Sequence, residues 1–312
     1  MRAFLFPGQG SQSVGMGAAL SEASRAARDV FEQVDEALGQ NLARLMREGP
    51  DDELRLTENA QPAIMANSMA VFAALTREGG VELAKAAQFV AGHSLGEYSA
   101  LCAAASFDLA TTAKLLKLRG QAMQAAVPVG VGAMAALLGA DLELARKIAD
   151  AAAKGEVCAV ANDNDPGQVV ISGHKGAIDR AIELAKEMGA KRAVPLPVSA
   201  PFHCPLMQPA AEAMRDALSY VVVEEPAVPV YANVSAAPET DPDTIRSLLV
   251  EQVTGLVRWR ESVVAMAADG VEDFIELGGK VLGPMVKRTA PDVNVRSIVT
   301  IEDVEALAKE IA

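Results

Sequence analysis

The sequence predicts an α/β protein: a large domain built on a parallel sheet, interrupted by a smaller domain of ferredoxin-like order. Three observations predict it. Apolar, strand-like runs alternate with stretches of helical periodicity in both the first and the last third of the chain. Between them the rhythm changes to βαββαβ, the ferredoxin-like order, bracketed by Gly/Pro-containing segments. A short apolar strand also runs through Gly92-x-Ser94-x-Gly96 directly into a helix, the strand–turn–helix pattern that lifts a serine above a sheet.

Taken in order, the first strand is Arg2–Phe6, followed by the polar, glycine-rich turn Pro7-Gly8-Gln9-Gly10-Ser11-Gln12. Helical spacing appears at Val30, Phe31, Val34 and Leu38, and again from Pro62, a good first-turn residue, through Ile64, Met65, Phe72 and Leu75. Phe89-Val90-Ala91 is a strand, an Ala-rich helix follows the serine turn to about Ala105, and another runs from about Asp108 to Ala126. The middle reads Ala133–Leu138 strand, Leu142–Ala153 helix, Val157–Ala161 and Val169–Ser172 strands, Ala177–Met188 helix and Arg192–Leu196 strand. The expected domains are therefore 1–128 with 197–312, and an insert over 129–196. Beyond the insert come a strand at Val228–Tyr231, helices at Thr244–Val253 and Trp259–Ala268, and a strand at Phe274–Leu277. A strand near Val295–Val299 and a helix from Val304 to Ile311 follow.

With 312 residues, 51% hydrophobic and 22% charged, the chain can bury a sizeable core, and with only 4% aromatics that core is aliphatic. A net charge of −13 argues against nucleic acid or an anionic membrane as the main partner. The cysteines (Cys102, Cys158, Cys204) are few and not at metal-ligand spacing, and there are three histidines (His93, His174, His203). We expect no disulfide framework, no metal site and a reducing, cytoplasmic setting. The apolar run Ala3–Phe6 is too short for a signal peptide, and the apolar stretch at 125–140 is broken by Pro128, Gly130 and Gly132, so no membrane span is expected.

The chemistry concentrates at Gly92-His93-Ser94-Leu95-Gly96. A turn this sharp leaves no room for side chains at the two glycines, exposes the Ser94 hydroxyl, and aims the first N–H groups of the helix at whatever Ser94 attacks. A serine nucleophile needs a base. His93, on the strand side of the turn, would point away and serve packing or hydrogen bonding. His174 falls in a Gly-rich turn of the insert and is expected to be exposed. His203 lies in the proline-pinned segment Pro201-Phe202-His203-Cys204-Pro205, where the chain re-enters the large domain, and by elimination it is the base.

Pro7-Gly8-Gln9-Gly10-Ser11-Gln12, Gly92-His93-Ser94-Leu95-Gly96-Glu97-Tyr98, Leu118-Arg119-Gly120 and Pro201-Phe202-His203 together resemble the malonyl-CoA:acyl-carrier-protein transacylases of fatty acid synthesis, in order over nearly the whole chain. The resemblance implies an α/β-hydrolase-like core with a ferredoxin-like insert. It implies a malonyl ester on Ser94, with His203 as general base and then acid and the N–H groups of Gln9 and Leu95 as the oxyanion hole. Arg119 would bind the malonyl carboxylate, Gln61 would be a polar active-site residue, and Met123, one turn past Arg119, would line the acyl pocket. Phe202 resembles the malonyl-selecting version of its position, and Asn162 would fall in a loop at the cleft mouth. No cofactor is implied beyond the acceptor's phosphopantetheine. The partners would be malonyl-CoA and an acidic acyl carrier protein docking near Lys191, Arg192, Lys287 and Arg288; a monomer is expected.

Two departures accompany the resemblance. Val257-Arg258-Trp259 stands where the family often has Val-Gln-Trp, a region it uses to orient the histidine through a backbone carbonyl. The late turn Gly278-Gly279 is one residue shorter than the family's Gly-Pro-Gly or Gly-Ala-Gly. Other readings of the chain are a phosphate cradle at Gly8–Ser13, which lacks the third glycine and the Gly-Lys-Ser/Thr of nucleotide loops, and Arg119 as a surface ion-pair residue. A serine esterase or thioesterase would need an acidic third member, for which Asp163 and Asp165 lie between nucleophile and histidine. A non-catalytic carrier-binding module would not need the set Ser94, His203 and Arg119.

Overall fold

Ala3 and Leu5 face one way along the first strand, Phe4 and Phe6 the other, and all four are fully buried. A strand buried on both faces belongs inside a covered sheet. The computed structural model, which describes residues 1–312, places it there.

The chain opens with β1 (Arg2–Phe6), α1 (Ala18–Ala23), α2 (Arg25–Leu38), α3 (Leu42–Glu48), α4 (Asp51–Arg55) and α5 (Thr57–Ala73), which runs on into a π-helical turn at Ala74–Glu78. Next come α6 (Leu83–Ala86), β2 (Phe89–Gly92), α7 (Leu95–Ala103) and α8 (Leu109–Ala126). The middle is β3 (Gly132–Leu138), α9 (Leu142–Ala153), β4 (Cys158–Asp165), β5 (Gln168–His174), α10 (Lys175–Glu187) and β6 (Arg192–Pro195). The last part contains α11 (Gln208–Ser219), β7 (Val230–Tyr231), β8 (Pro238–Glu239), α12 (Pro242–Gln252), α13 (Trp259–Ala268), β9 (Asp273–Leu277), α14 (Leu282–Thr289), β10 (Asn294–Ile298) and α15 (Ile301–Ile311).

The fold is mixed α/β with two sheets. A six-stranded sheet has the order β10-β9-β1-β2-β7-β8, parallel except for the β7–β8 edge. On one face Phe4, Phe6 and Val90 pack with α2, α5, α7 and α8; on the other Ala3, Leu5 and Ala91 pack with α13 and α14 around Trp259. The second sheet is antiparallel, in the order β4-β5-β3-β6. Ala135, Leu137, Val169 and Ile171 face α9 and α10 in a core of their own, whereas Met134, Ala136 and Val170 face the large core. The small sheet is tied to the large core where Val257, between α12 and α13, bridges Asn162 of β4, with mutual backbone hydrogen bonds of 2.9 Å to Ala161 and Asp163.

Several expectations are corrected. Pro62 sits inside α5, which begins at Thr57; Gly120 of α8 approaches so close to Thr57 and Glu58 that the earlier turn is packed into place. Asn162 is in strand β4 rather than a loop. His174 ends β5 half-buried, its Nδ1 accepting the Val157 N–H at 2.9 Å, so it is not an exposed turn residue. Helix α11 was not expected. No helix is long and apolar enough to cross a membrane.

Candidate active site

The site forms where β1 and β2 end. A side chain on Gly92 would lie 1.9 Å from the Gly96 backbone, and one on Gly96 would lie 2.2 Å from the Phe6 carbonyl oxygen, so only glycine fits at either place. The turn between them holds Ser94 at φ 54°, ψ −113°. A non-glycine residue there is strained by about 1–3 kcal/mol and stays only if its surroundings fix it. Here they do. The Ser94 N–H donates to Asn233 Oδ1 (2.7 Å), Asn233 Nδ2 donates to the Gly92 carbonyl (2.7 Å), and Gln252 Nε2 donates to the Ser94 carbonyl (3.0 Å).

Ser94 Oγ lies 2.8 Å from His203 Nε2. The other ring nitrogen, Nδ1, lies 2.8 Å from the Gln252 carbonyl oxygen. A carbonyl only accepts, so Nδ1 carries the proton and Nε2 is left with its lone pair toward the hydroxyl. Burial, reinforced by the nearby Arg119 charge, pushes the His203 pKa down to about 3, so the imidazole is neutral at neutral pH. The carbonyl belongs to the last residue of α12, which corrects the expectation that the Val257–Trp259 segment supplies it. No carboxylate contacts His203. The expected third-member candidates are engaged elsewhere, Asp163 with Arg260 at 2.8 Å and Asp165 with Arg288 at 2.7 Å.

Arg119, on α8, is 1% exposed. Its Nη1 donates to Gln61 Oε1 (2.8 Å) and its Nη2 to Gln252 Oε1 (2.8 Å) and Ser94 Oγ (3.2 Å). The guanidinium lies 5.7 Å from the Tyr98 ring, and its Nε has no partner. Arg119 is bonded to two amides and a hydroxyl and has no carboxylate within ion-pair distance. It is not a surface ion-pair residue.

A cavity of about 400 Å³ opens onto this floor, and Gln9, Gln61, Ser94, Leu95, Arg119, Met123, Asn162, Phe202 and His203 all line it. The Leu95 N–H, first in α7, has no acceptor within its helix. His93 reaches Asn164 Oδ1 at 2.8 Å through Nε2 and packs edge-on against Trp259, away from the Ser94 hydroxyl as expected. None of Lys191, Arg192, Lys287 and Arg288 lines the cavity. All four are exposed, with the Lys287 ammonium on the Val293 carbonyl and Arg288 paired with Asp165. The short Gly278-Gly279 turn is closed by Glu276, whose carboxylate accepts the N–H groups of Val281, Leu282 and Gly283 at 2.8–3.0 Å.

Sequence reasoning missed Asn233 and Gln252, and gave Glu97 no task. Asn233 lies two residues past β7, at the same end of the sheet as Ser94. The ends of parallel strands carry function, and that was the available signal. No group of His, Cys, Asp or Glu is arranged to hold a metal.

The chain is similar to known proteins over nearly its whole length. The family described as acyl transferase domain matches residues 3–297. The malonyl CoA-acyl carrier protein transacylase of Escherichia coli K12 is 47% identical over 287 residues, covering 92% of each chain. The crystal structure of the acyl-carrier-protein S-malonyltransferase from Bartonella henselae superposes with a TM-score of 0.97 at 53% identity, covering 99% of both chains. A malonyl-transacylase solved in complex with its type II PKS acyl-carrier protein superposes at 0.95 and 38% identity, covering 99% of each.

Proposed function

The chain belongs to the acyl transferase domain family, and we propose that it moves the malonyl group of malonyl-CoA to the phosphopantetheine thiol of an acyl carrier protein through a malonyl ester on Ser94. The activity is that of an acyl-carrier-protein S-malonyltransferase, the one its relatives' names give. The observation that carries the reading is the convergence of His203 Nε2 at 2.8 Å and Arg119 Nη2 at 3.2 Å on one hydroxyl oxygen.

Ser94 Oγ attacks the thioester carbonyl while His203 Nε2 takes its proton. The N–H groups of Gln9 and Leu95 hold the oxyanion, and collapse expels the CoA sulfur, which receives the proton back from His203. In the second half the carrier's thiol gives its proton to His203 and attacks the ester, and Ser94 leaves reprotonated. Arg119 binds the malonyl carboxylate between Gln61 and Gln252. Met123, Phe202 and Asn162 shape the acyl pocket. Ser94 and His203 supply nucleophile and base, so the reading calls for no cofactor.

We read residues 1–128 and 197–312 as an α/β-hydrolase-like domain and 129–196 as a ferredoxin-like insert. The strand order β4-β5-β3-β6, with α9 and α10 packed on one face, supports the second description. The carrier would dock by Lys191, Arg192 and Lys287, with Arg288 held back by Asp165. An esterase reading is disfavoured by the absence of an acidic partner at His203. Intact-protein mass spectrometry after exposure to malonyl-CoA should find one malonyl adduct, absent from Ser94→Ala. An adduct that persists in the variant would refute the nucleophile.

A further inference from the structure

Behind the nucleophile lies a buried carboxylate that the transfer does not use. Glu97, in the first turn of α7, is 2% exposed. Its Oε2 accepts the Asn233 N–H at 2.9 Å and Gln252 Nε2 at 2.8 Å. The other end of the Gln252 amide, Oε1, accepts Arg119 Nη2 at 2.8 Å. Carboxylate and guanidinium therefore face each other across one amide instead of forming an ion pair.

Two properties follow. The first concerns charge: Glu97 offsets Arg119 from a short distance, so a substrate carboxylate arriving at the guanidinium meets a second anion behind it. The second concerns hydrogen bonds. Both bonds to Glu97 converge on a single oxygen, so a proton can settle on Oε1 with neither bond lost. The Gln252 amide also donates to the Ser94 carbonyl (3.0 Å) and Asn233 Oδ1 (3.2 Å), and its orientation survives the change.

We propose that Glu97 is a proton-linked countercharge for Arg119: it balances the guanidinium in the acyl-free enzyme and takes a proton from solvent when a substrate carboxylate takes its place. The inference rests on the malonyl reading of Arg119. Burial holds the Glu97 carboxyl up at about 7, with the Asn233 N–H, the Gln252 amide and Arg119 drawing it down and Glu239 of β8 pushing it up. Tyr98, beside it on α7, is neutral, as is His203. On the packed elements, Glu58 in the first turn of α5 is paired with Lys117 of α8, which also bonds Asn59, while His93 after β2 is bound to Asn164, Arg2 of β1 to Asp273, and the Tyr231 hydroxyl of β7 to Asp269. Below neutrality Glu97 is protonated and the malonyl carboxylate has Arg119 to itself; above it, two anions share one cation. The Michaelis constant for malonyl-CoA should therefore rise with pH.

The test is acylation kinetics of the wild type and Glu97→Gln with malonyl-CoA and acetyl-CoA, from about pH 6 to about pH 8.5. Acetyl-CoA carries the same CoA phosphates without the distal carboxylate, so it corrects for their titration. In the wild type the malonyl constant relative to the acetyl one should rise roughly fivefold or more across the range. In Glu97→Gln it should stay flat, near the low-pH wild-type value. A flat wild-type profile, or one that persists in Glu97→Gln, overturns the proposal. Calorimetry on Ser94→Ala in two buffers of different ionisation heat reads the same linkage without altering Glu97. More proton uptake near pH 7 with malonyl-CoA than with acetyl-CoA supports the proposal, and equal uptake overturns it. Failure of wild-type Ser94 to be malonylated at all would instead remove the malonyl reading, so the two failures are distinguishable.

Discussion

The two walls of the cleft are made of different material. The wall from the six-stranded sheet and its helices holds Ser94, His203 and Arg119, cross-tied by Asn233, Gln252 and Glu97. The wall from the four-stranded sheet offers Met134, Asn162, Asn164, Gln168 and Val170, amides and apolar groups with nothing that titrates. Its aspartates turn aside to Arg260 and Arg288, where they fasten the sheet in place. The difference teaches a division of labour. On the proposed reading, bond-making belongs to a wall whose strain is held by buried hydrogen bonds, and the facing wall shapes and orients without touching the proton transfers.

The largest effect that could break this comparison is at the base. His203→Ala should slow Ser94 acylation by roughly a thousandfold or more, because members of a nucleophile–base unit fail together. Asn162→Ala, on the other wall, should cost no more than about tenfold, mostly in the Michaelis constant. Single-turnover acylation measures both, and similar losses in kcat would erase the distinction. The same residue fixes a pH signature. The folded protein leaves His203 neutral down to about pH 3, while an unfolded histidine takes its proton near pH 6.5. The acylation rate of the bound acetyl substrate should thus show no acid limb in the ordinary histidine range. The His203 contribution to stability should be lost progressively as pH falls from about 6.5 toward 3.

A smaller effect would sharpen the comparison at the rim. Lys191→Glu, Arg192→Glu and Lys287→Glu together should raise the Michaelis constant for an acidic carrier protein several-fold at low salt and flatten its salt dependence. Arg288 is left intact because reversing it would set two carboxylates against each other at Asp165. An unchanged carrier constant would show that docking uses another surface.

Much of the site was legible in sequence because its chemistry sits at forced places. The glycines at 92 and 96 announce a turn that no side chain permits, and the helical spacing of Arg119 and Met123 puts both on the cavity side. The βαββαβ order could be read from periodicity, since each element of the small sheet has one face on its own core. The supporting residues were not legible. Asn233 and Gln252 reach the Ser94 backbone by hydrogen bonds across 139 and 158 positions, a relation that leaves no local period. The start of α5 was misplaced because Pro62 reads as a beginning, whereas packing of Gly120 against Thr57 and Glu58 extends the helix beyond it.

The most direct test of the account concerns Arg119. The thioester carbonyl is the same in malonyl-CoA and acetyl-CoA, so on the proposed reading Ser94, His203 and the N–H groups of Gln9 and Leu95 cannot tell them apart, and discrimination falls to the guanidinium. A buried arginine–carboxylate pair worth a net of about 2–3 kcal/mol corresponds to roughly 30- to 150-fold. The measurement is the ratio of kcat/KM for malonyl-CoA over acetyl-CoA in wild type and Arg119→Ala. The account predicts that the ratio collapses by about that factor, with acetyl transfer unchanged or improved because the charge that adds to burial in depressing His203 is gone. A ratio that stays the same in the variant would contradict it and place carboxylate recognition elsewhere in the cleft.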